Sequence, residues 1–184
     1  MSAVSVYQVM KALFFPFVLL IILTCTSCGS GQQEQIPEVD TVDYKNSLMN
    51  VNQTLVEREN RQIDNYIQRK GWDMIKTGTG LRYEIYLKTQ GTRPQKDMTA
   101  QIRFRVNLIS GQVVYDSKTD GLKSFRLGQD EVENGLEEGI MLMKKGEKAR
   151  LVIPSHLAFG LLGDDNKIPK RATLVYDVEL LEVF

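Results

Sequence analysis

Between Phe125 and Leu181 the chain passes through strand, helix, turn, strand, loop and strand signals in fewer than sixty residues. That density limits it to a small, sheet-rich fold. Phe125, Arg126 and Leu127 alternate apolar and polar character and stop at Gly128, as a strand entering a turn does. From Glu131 the period changes. Val132, Leu136, Ile140 and Met143 fall on one stripe of a short helix. Lys144 and Lys145 are expected in its last turn, where cations suit the helix dipole, with Gly146 as the C-cap. Ala149, Leu151 and Ile153 alternate with Lys148, Arg150 and Val152 in a strand that Pro154 ends. Ser155 to Lys170 reads as a long loop. The last strand, Thr173 to Leu181, carries Leu174, Tyr176, Val178 and Leu180 on one face. The segment holds no nucleophile motif, metal cluster or phosphate loop. A helix set between strands of one sheet, under an apolar loop, makes a concave site that works by shape and apolarity rather than covalent chemistry.

The order and wording of these runs are specific. LGQDEV (Leu127–Val132), GLEEGI (Gly135–Ile140), MKKGEKARLVIP (Met143–Pro154), LAFG (Leu157–Gly160) and IPKRATLVYDVELL (Ile168–Leu181) follow one another with fixed spacing. Together they resemble the second half of an FKBP-type peptidyl-prolyl isomerase domain. IRFRVNLISGQVVYDS (Ile102–Ser117) resembles the family's earlier strand, turn and Tyr/Phe-Asp-Ser, with one extra residue after Gly111. The resemblance covers about Thr99–Phe184, and the alternating strand Leu81–Leu87 belongs with it. It implies an α+β fold: an FKBP-like curved antiparallel sheet wrapped around a short helix, here preceded by a long N-terminal helix.

The chemistry such a fold implies needs no nucleophile. Resonance stiffens the peptide C–N bond and sets a rotation barrier of about 18–20 kcal/mol. X–Pro isomers differ by only about 0.5–1 kcal/mol but exchange over tens of seconds. A dry apolar pocket favours the twisted, less polar amide over the planar one that water stabilises, and a few donors to the twisted carbonyl add to this. By the resemblance, Tyr115 and Asp116 supply one wall and one polar contact, Phe104 an aromatic wall, and Ile168 and Tyr176 two further walls. Phe125 joins the substrate-binding group. Val132 and Glu133 flank the substrate, the backbone N–H of Glu133 serving as donor. Two departures stand out: Leu136 replaces the usual Trp floor, and Phe159 replaces a Tyr hydroxyl worth about 0.5–1.5 kcal/mol. Weakened but persisting isomerase activity is expected, without cofactor or metal, on proline-containing unfolded or envelope polypeptides. The resemblance also implies a macrolide as pocket ligand.

The remaining chain sets the context. Residues 1–28 read as an export signal: one positive charge by Lys11, an apolar run from Ala12 to Leu23 that is short for a membrane span, then small residues. Cys25 and Cys28 are the only cysteines. Cys28, between Ser27 and Gly29, resembles a bacterial lipoprotein acylation site, which implies a lipid-anchored protein of the cell envelope facing the periplasm; an uncleaved anchor and a soluble exported protein are the alternatives. Two acyl chains suffice physically, at about 0.8 kcal/mol per buried methylene. Residues 29–42 read as a polar linker and 43–71 as a helix, leaving 72–184 as the isomerase-like domain, long enough to bury a core. The helix stripe of Leu48, Val51, Leu55 and Tyr66, with Ile63 and Ile67 beside it, is broken by Asn52 and Glu59. It therefore reads as packing on its own domain or as a spacer, with dimerisation as the alternative. Trp72, Met74 and Ile75 are expected to anchor its end on the sheet.

The bland readings are equally definite. Lysines and arginines number 23, aspartates and glutamates 23, so no basic field favours nucleic acid; Lys144, Lys145 and Lys148 read as a solvated turn. His156 stands without partners for a triad or metal. Asp164-Asp165-Asn166 lacks calcium-loop spacing and reads as a polar loop tip. Asp116 has a local alternative as a cap for the turn at Ser117, and the apolar candidates have one as ordinary sheet core. Three functions remain open: an envelope isomerase and folding helper, a non-catalytic FKBP-like chaperone or assembly module, and a structural envelope lipoprotein. The loop around His156 and Asp164 further resembles envelope lipoproteins associated with gliding motility.

Overall fold

The computed structural model describes residues 41–184. The export segment, most of the expected linker and the Cys28 acylation site lie outside the described residues. Helix α1 spans Thr41–Lys70, beginning two residues before the expected start; helix ends vary by that much. Strands follow in the order β1 (Ile75–Lys76), β2 (Arg82–Leu87), β3 (Thr99–Leu108), β4 (Val113–Asp116), β5 (Lys123–Arg126), β6 (Lys148–Ile153) and β7 (Leu174–Val183). A one-turn helix α2 (Ser117–Asp120) separates β4 from β5, and helix α3 (Asn134–Leu142) separates β5 from β6.

All seven strands join one antiparallel sheet in the order β1-β2-β6-β7-β3-β4, with β5 also on β3. The ten-residue β3 pairs along one side with β7. Its other side is shared: Arg105 to Asn107 pair with β4 and Thr99 to Ile102 with β5. Gly111, at φ 95°, turns the β3–β4 hairpin where an L side chain would be strained. Strand alternation works as the sequence implies. Leu174, Tyr176, Val178 and Leu180 of β7 meet Ala149, Leu151 and Ile153 of β6 and Ile102 and Val106 of β3 in one buried cluster. Pro154 ends β6, having no N–H to give the ladder.

Helix α3 lies against β6 because two of its residues lack side chains. A Cβ at Gly135 would overlap Ile153, and one at Gly139 would overlap Leu151. Leu136 and Ile140, on the same face, are fully buried. The helix is shorter than its apolar stripe. Val132 and Met143 bracket it, Met143 is its C-cap, and no basic residue sits in its last turn. Lys144, Lys145 and Gly146 thus belong to the following turn, where the Gly146 N–H bonds the Leu180 carbonyl at 2.6 Å. Core packing continues the apolar stripe past both helix ends, which is why periodicity overstates the helix.

Only the C-terminal half of α1 docks. Ile63 and Tyr66 are buried with Val152 and Val175 on the outer face of β6 and β7, and Ile67, Trp72 and Met74 pack around them. Leu48 and Val51 are exposed. Ile75 does not anchor the helix end; it is 60% exposed on the edge strand. The unexpected fastening is Arg82. It is 2% exposed, and its guanidinium donates to the Gly80 carbonyl at 2.8 Å and to Asn60 and Asp64 of α1 at 2.9 Å each. No helix among the described residues is long and apolar enough to cross a membrane.

Candidate functional site

The β4 end, the β5–α3 junction, the β6–β7 loop and β7 all contribute to one inner apolar cluster. Leu136 is fully buried there, and Ile168 and Tyr176 are each 4% exposed. Half-buried Phe104, Tyr115, Val132 and Phe159 pack against the same cluster. Phe125, from β5, is inside it at 3% exposure. Eight residues from six separate segments thus belong to, or pack against, a single apolar cluster. Leu157 and Ala158, which lead into Phe159, pack there too.

Polar groups edge this cluster. Glu133 opens α3 as its N-cap residue, so its own N–H lies outside the helix ladder. Its side chain does not cap the helix. It turns inward, accepts from the Tyr176 hydroxyl at 3.0 Å, and lies 3.8 Å from the Lys123 ammonium. The carboxylate is 6% exposed, and its Oε2 is buried without a hydrogen-bond donor. Burial, and then the neighbouring Glu133 charge, push the Tyr176 hydroxyl well above its usual pKa. Tyr176 thus remains a neutral donor.

On the opposite side the Tyr115 hydroxyl donates to Asp164 Oδ2. That bond, with burial, raises the Tyr115 pKa. Burial opposes ionisation of Asp164, but the Tyr115 hydroxyl and the N–H groups of Ile168, Asn166 and Lys167 outweigh it and hold the carboxyl below its usual range. Asp164 Oδ1 accepts from the Ile168 N–H at 2.7 Å and the Asn166 N–H at 3.0 Å. Asp164 is therefore more than a polar loop tip: it shapes the turn that presents Ile168 and ties it to Tyr115. The legible signal was an Asp followed two residues later by a residue whose N–H it can accept, the mark of an Asx turn. The Lys167 ammonium sits 4.7 Å from the Tyr115 ring centre.

Asp116 is engaged locally. Its Oδ1 accepts the Lys118 N–H at 2.9 Å, capping α2, and its Oδ2 accepts from Arg105 Nε at 2.8 Å. The Lys118 N–H first, and Arg105 second, hold its carboxyl below the usual value. With Phe104 it borders a separate hollow of about 220 Å³ whose walls include Tyr86, Arg103, Arg105 and Asp177. So Glu133 joins the apolar candidates through Tyr176, while Phe104 also borders the separate hollow with Asp116, whose carboxylate is directed to the helix cap and to Arg105.

A family model described as FKBP-type peptidyl-prolyl cis-trans isomerase matches residues 90–181. The chain belongs to this family. FKBP-type isomerase FkpA of Escherichia coli strain K12 is 40% identical over 122 residues, covering 65% of this chain and 43% of that protein. The probable FKBP-type isomerase FkpA of Neisseria meningitidis is 39% identical over 108 residues, covering 58% of this chain and 39% of the relative. The chain thus spans about two fifths of the length of these curated relatives. The crystal structure of FkpA from Escherichia coli superposes with a TM-score of 0.61 at 30% identity, over 94% of this chain and 81% of that one. The FKBP assignment accounts for the α+β architecture and for the short helix inside the sheet.

Proposed function

We propose that this protein is a peptidyl-prolyl cis-trans isomerase that rotates X–Pro bonds in unfolded or assembling polypeptides. The observation that carries this is the packing of Tyr115, Val132, Leu136, Phe159, Ile168 and Tyr176 in or against one apolar cluster, edged by Glu133, the N-cap of α3. Proline enters against these walls. Removal of water raises the free energy of the planar, polar amide relative to the twisted one. The Glu133 N–H, outside the helix ladder, donates to the substrate carbonyl as it leaves the amide plane, and no bond to the enzyme is made or broken. Tyr176 and Tyr115, both kept protonated, hold Glu133 and Asp164 at the edges. A protease-coupled assay on a proline tetrapeptide tests this; a rate equal to that of buffer at micromolar protein refutes it.

A second reading has its own support. Asp116 has both oxygens engaged, Leu136 supplies no aromatic floor, and Phe159 no hydroxyl. These favour a catalytically weak binding module acting as chaperone or assembly factor. Suppressed aggregation of a proline-free client, with no isomerase rate, selects it.

The setting we propose is the cell envelope, with the protein held to the membrane by acylation of Cys28 and facing the periplasm. The apolar run ending in Ser27-Cys28-Gly29 supports this. Labelled palmitate is expected in the parent protein and absent from Cys28→Ala. Clients in a surface assembly, such as the gliding-associated lipoproteins serve, and a macrolide as pocket blocker, belong to the same proposal. Inhibition of the isomerase rate by the macrolide tests the latter.

A further inference from the structure

Glu59 interrupts the apolar stripe of α1, and the reason lies across the domain. Its Oε1 accepts from the Ser155 N–H and the Thr173 hydroxyl, each at 2.7 Å, and its Oε2 from the Ser155 hydroxyl at 2.9 Å. Ser155 and Thr173 are the second and last residues of the connection between β6 and β7. That connection carries Phe159, Asp164 and Ile168. One carboxylate on a helix outside the FKBP-type domain's own motifs therefore pins both ends of the loop that supplies two walls of the site.

The constraint propagates along hydrogen bonds. The Ser155 carbonyl accepts from the Gly160 N–H at 2.9 Å, and the Gly160 carbonyl from the Arg171 N–H at 2.8 Å. Beyond them the Phe159 carbonyl accepts from the Gly163 N–H at 3.2 Å, and the Ile168 carbonyl from the Asp164 N–H at 3.1 Å. The last link is Tyr115 to Asp164. From Glu59 to Tyr115 the loop is thus braced at its base, its waist and its tip.

Resting on the isomerase reading, we infer that Glu59 is a positioning residue for the proline pocket: α1 orders the wall-bearing loop by clamping its two ends. The clamp is separable from the docking of α1. Arg82 with Asn60 and Asp64, and the buried Ile63 and Tyr66, hold the helix independently. Glu59→Ala therefore leaves α1 seated while freeing the Ser155 N–H and the Thr173 hydroxyl. Glu59→Gln keeps an oxygen that accepts from both.

The test uses the full chain and two readouts. Glu59→Ala is expected to raise amide hydrogen exchange at Gly160 and Arg171 by about tenfold, leaving Leu151 and Tyr176 protected. It is expected to lower kcat/KM by about tenfold, the scale of a slightly misplaced site. Glu59→Gln restores both. Asp64→Asn, which weakens the Arg82 fastening instead, leaves kcat/KM unchanged. Unaltered exchange at Gly160 and Arg171 in Glu59→Ala overturns the clamp. So does a rise spread equally over β6 and β7, or an equal loss of activity in Asp64→Asn. If the parent protein has no isomerase rate, the functional reading falls and the exchange measurement alone decides the clamp.

Discussion

The Tyr176 hydroxyl and the Glu133 carboxylate, 43 residues apart in sequence, meet at 3.0 Å and join the last strand to the opening of α3. Lys123 lies 3.8 Å away and Glu133 Oε2 accepts no hydrogen bond, so Glu133 depends on this donor. Tyr176→Phe is expected to cost about 1–3 kcal/mol, because it leaves a buried acceptor short of a partner. In a Glu133→Leu background the same change costs less than about 1 kcal/mol, and urea denaturation of the four proteins gives the coupling directly.

Phe159 stands where the family's motif usually has a Tyr. The Phe159 ring is half-buried, so Phe159→Tyr adds the hydroxyl to a side chain that is not sealed in the core. A gain of about 0.5–1.5 kcal/mol in transition-state binding corresponds to a rise of about two- to tenfold in kcat/KM. The protease-coupled assay reads it; an unchanged rate places the Phe159 edge out of reach of the substrate.

Asp164 sets an acid limb on stability. Its folded pKa lies below the ordinary value of 3.8. The folded carboxylate therefore adds stability above that value and loses it as pH falls through the lower folded pKa. The decline of the urea midpoint below about pH 4 is expected to be shallower in Asp164→Asn than in the parent. Asp116, depressed by Lys118 and Arg105, contributes in the same direction, so part of the limb persists in the single variant.

The two halves of α1 respond differently to truncation. Ile63→Ala empties a fully buried site and is expected to cost about 2–5 kcal/mol. Val51→Ala, at a residue 56% exposed, is expected to stay within about 0.5 kcal/mol. Thermal or urea unfolding distinguishes them.

The sheet strands and the convergence of the apolar cluster were legible because alternation and the LGQDEV-to-VYDVELL order encode a packed interior. Polar tertiary bonds were not. Nothing local in Glu59 reveals that it reaches Ser155 and Thr173; in sequence it appears only as a break in a stripe. Arg82 sits in a strand whose neighbours Leu81 and Tyr83 alternate normally, and its burial depends on a helix that lies 18 residues earlier at Asp64. Asp116 shows the converse. The family motif suggested a site role, while a cap and an ion pair two and eleven residues away take up its oxygens. Periodicity reports which side faces the core; it does not report which charged group crosses to another element.

Arg82 has a consequence for how the protein comes apart. Its anionic partner belongs to α1, so a helix that peeled away would break this charge-assisted bond and uncover the apolar faces of Val152 and Val175 together. Both losses fall on the same step, so the seated half of the helix is expected to resist a protease probing the native protein for as long as the sheet beneath it holds.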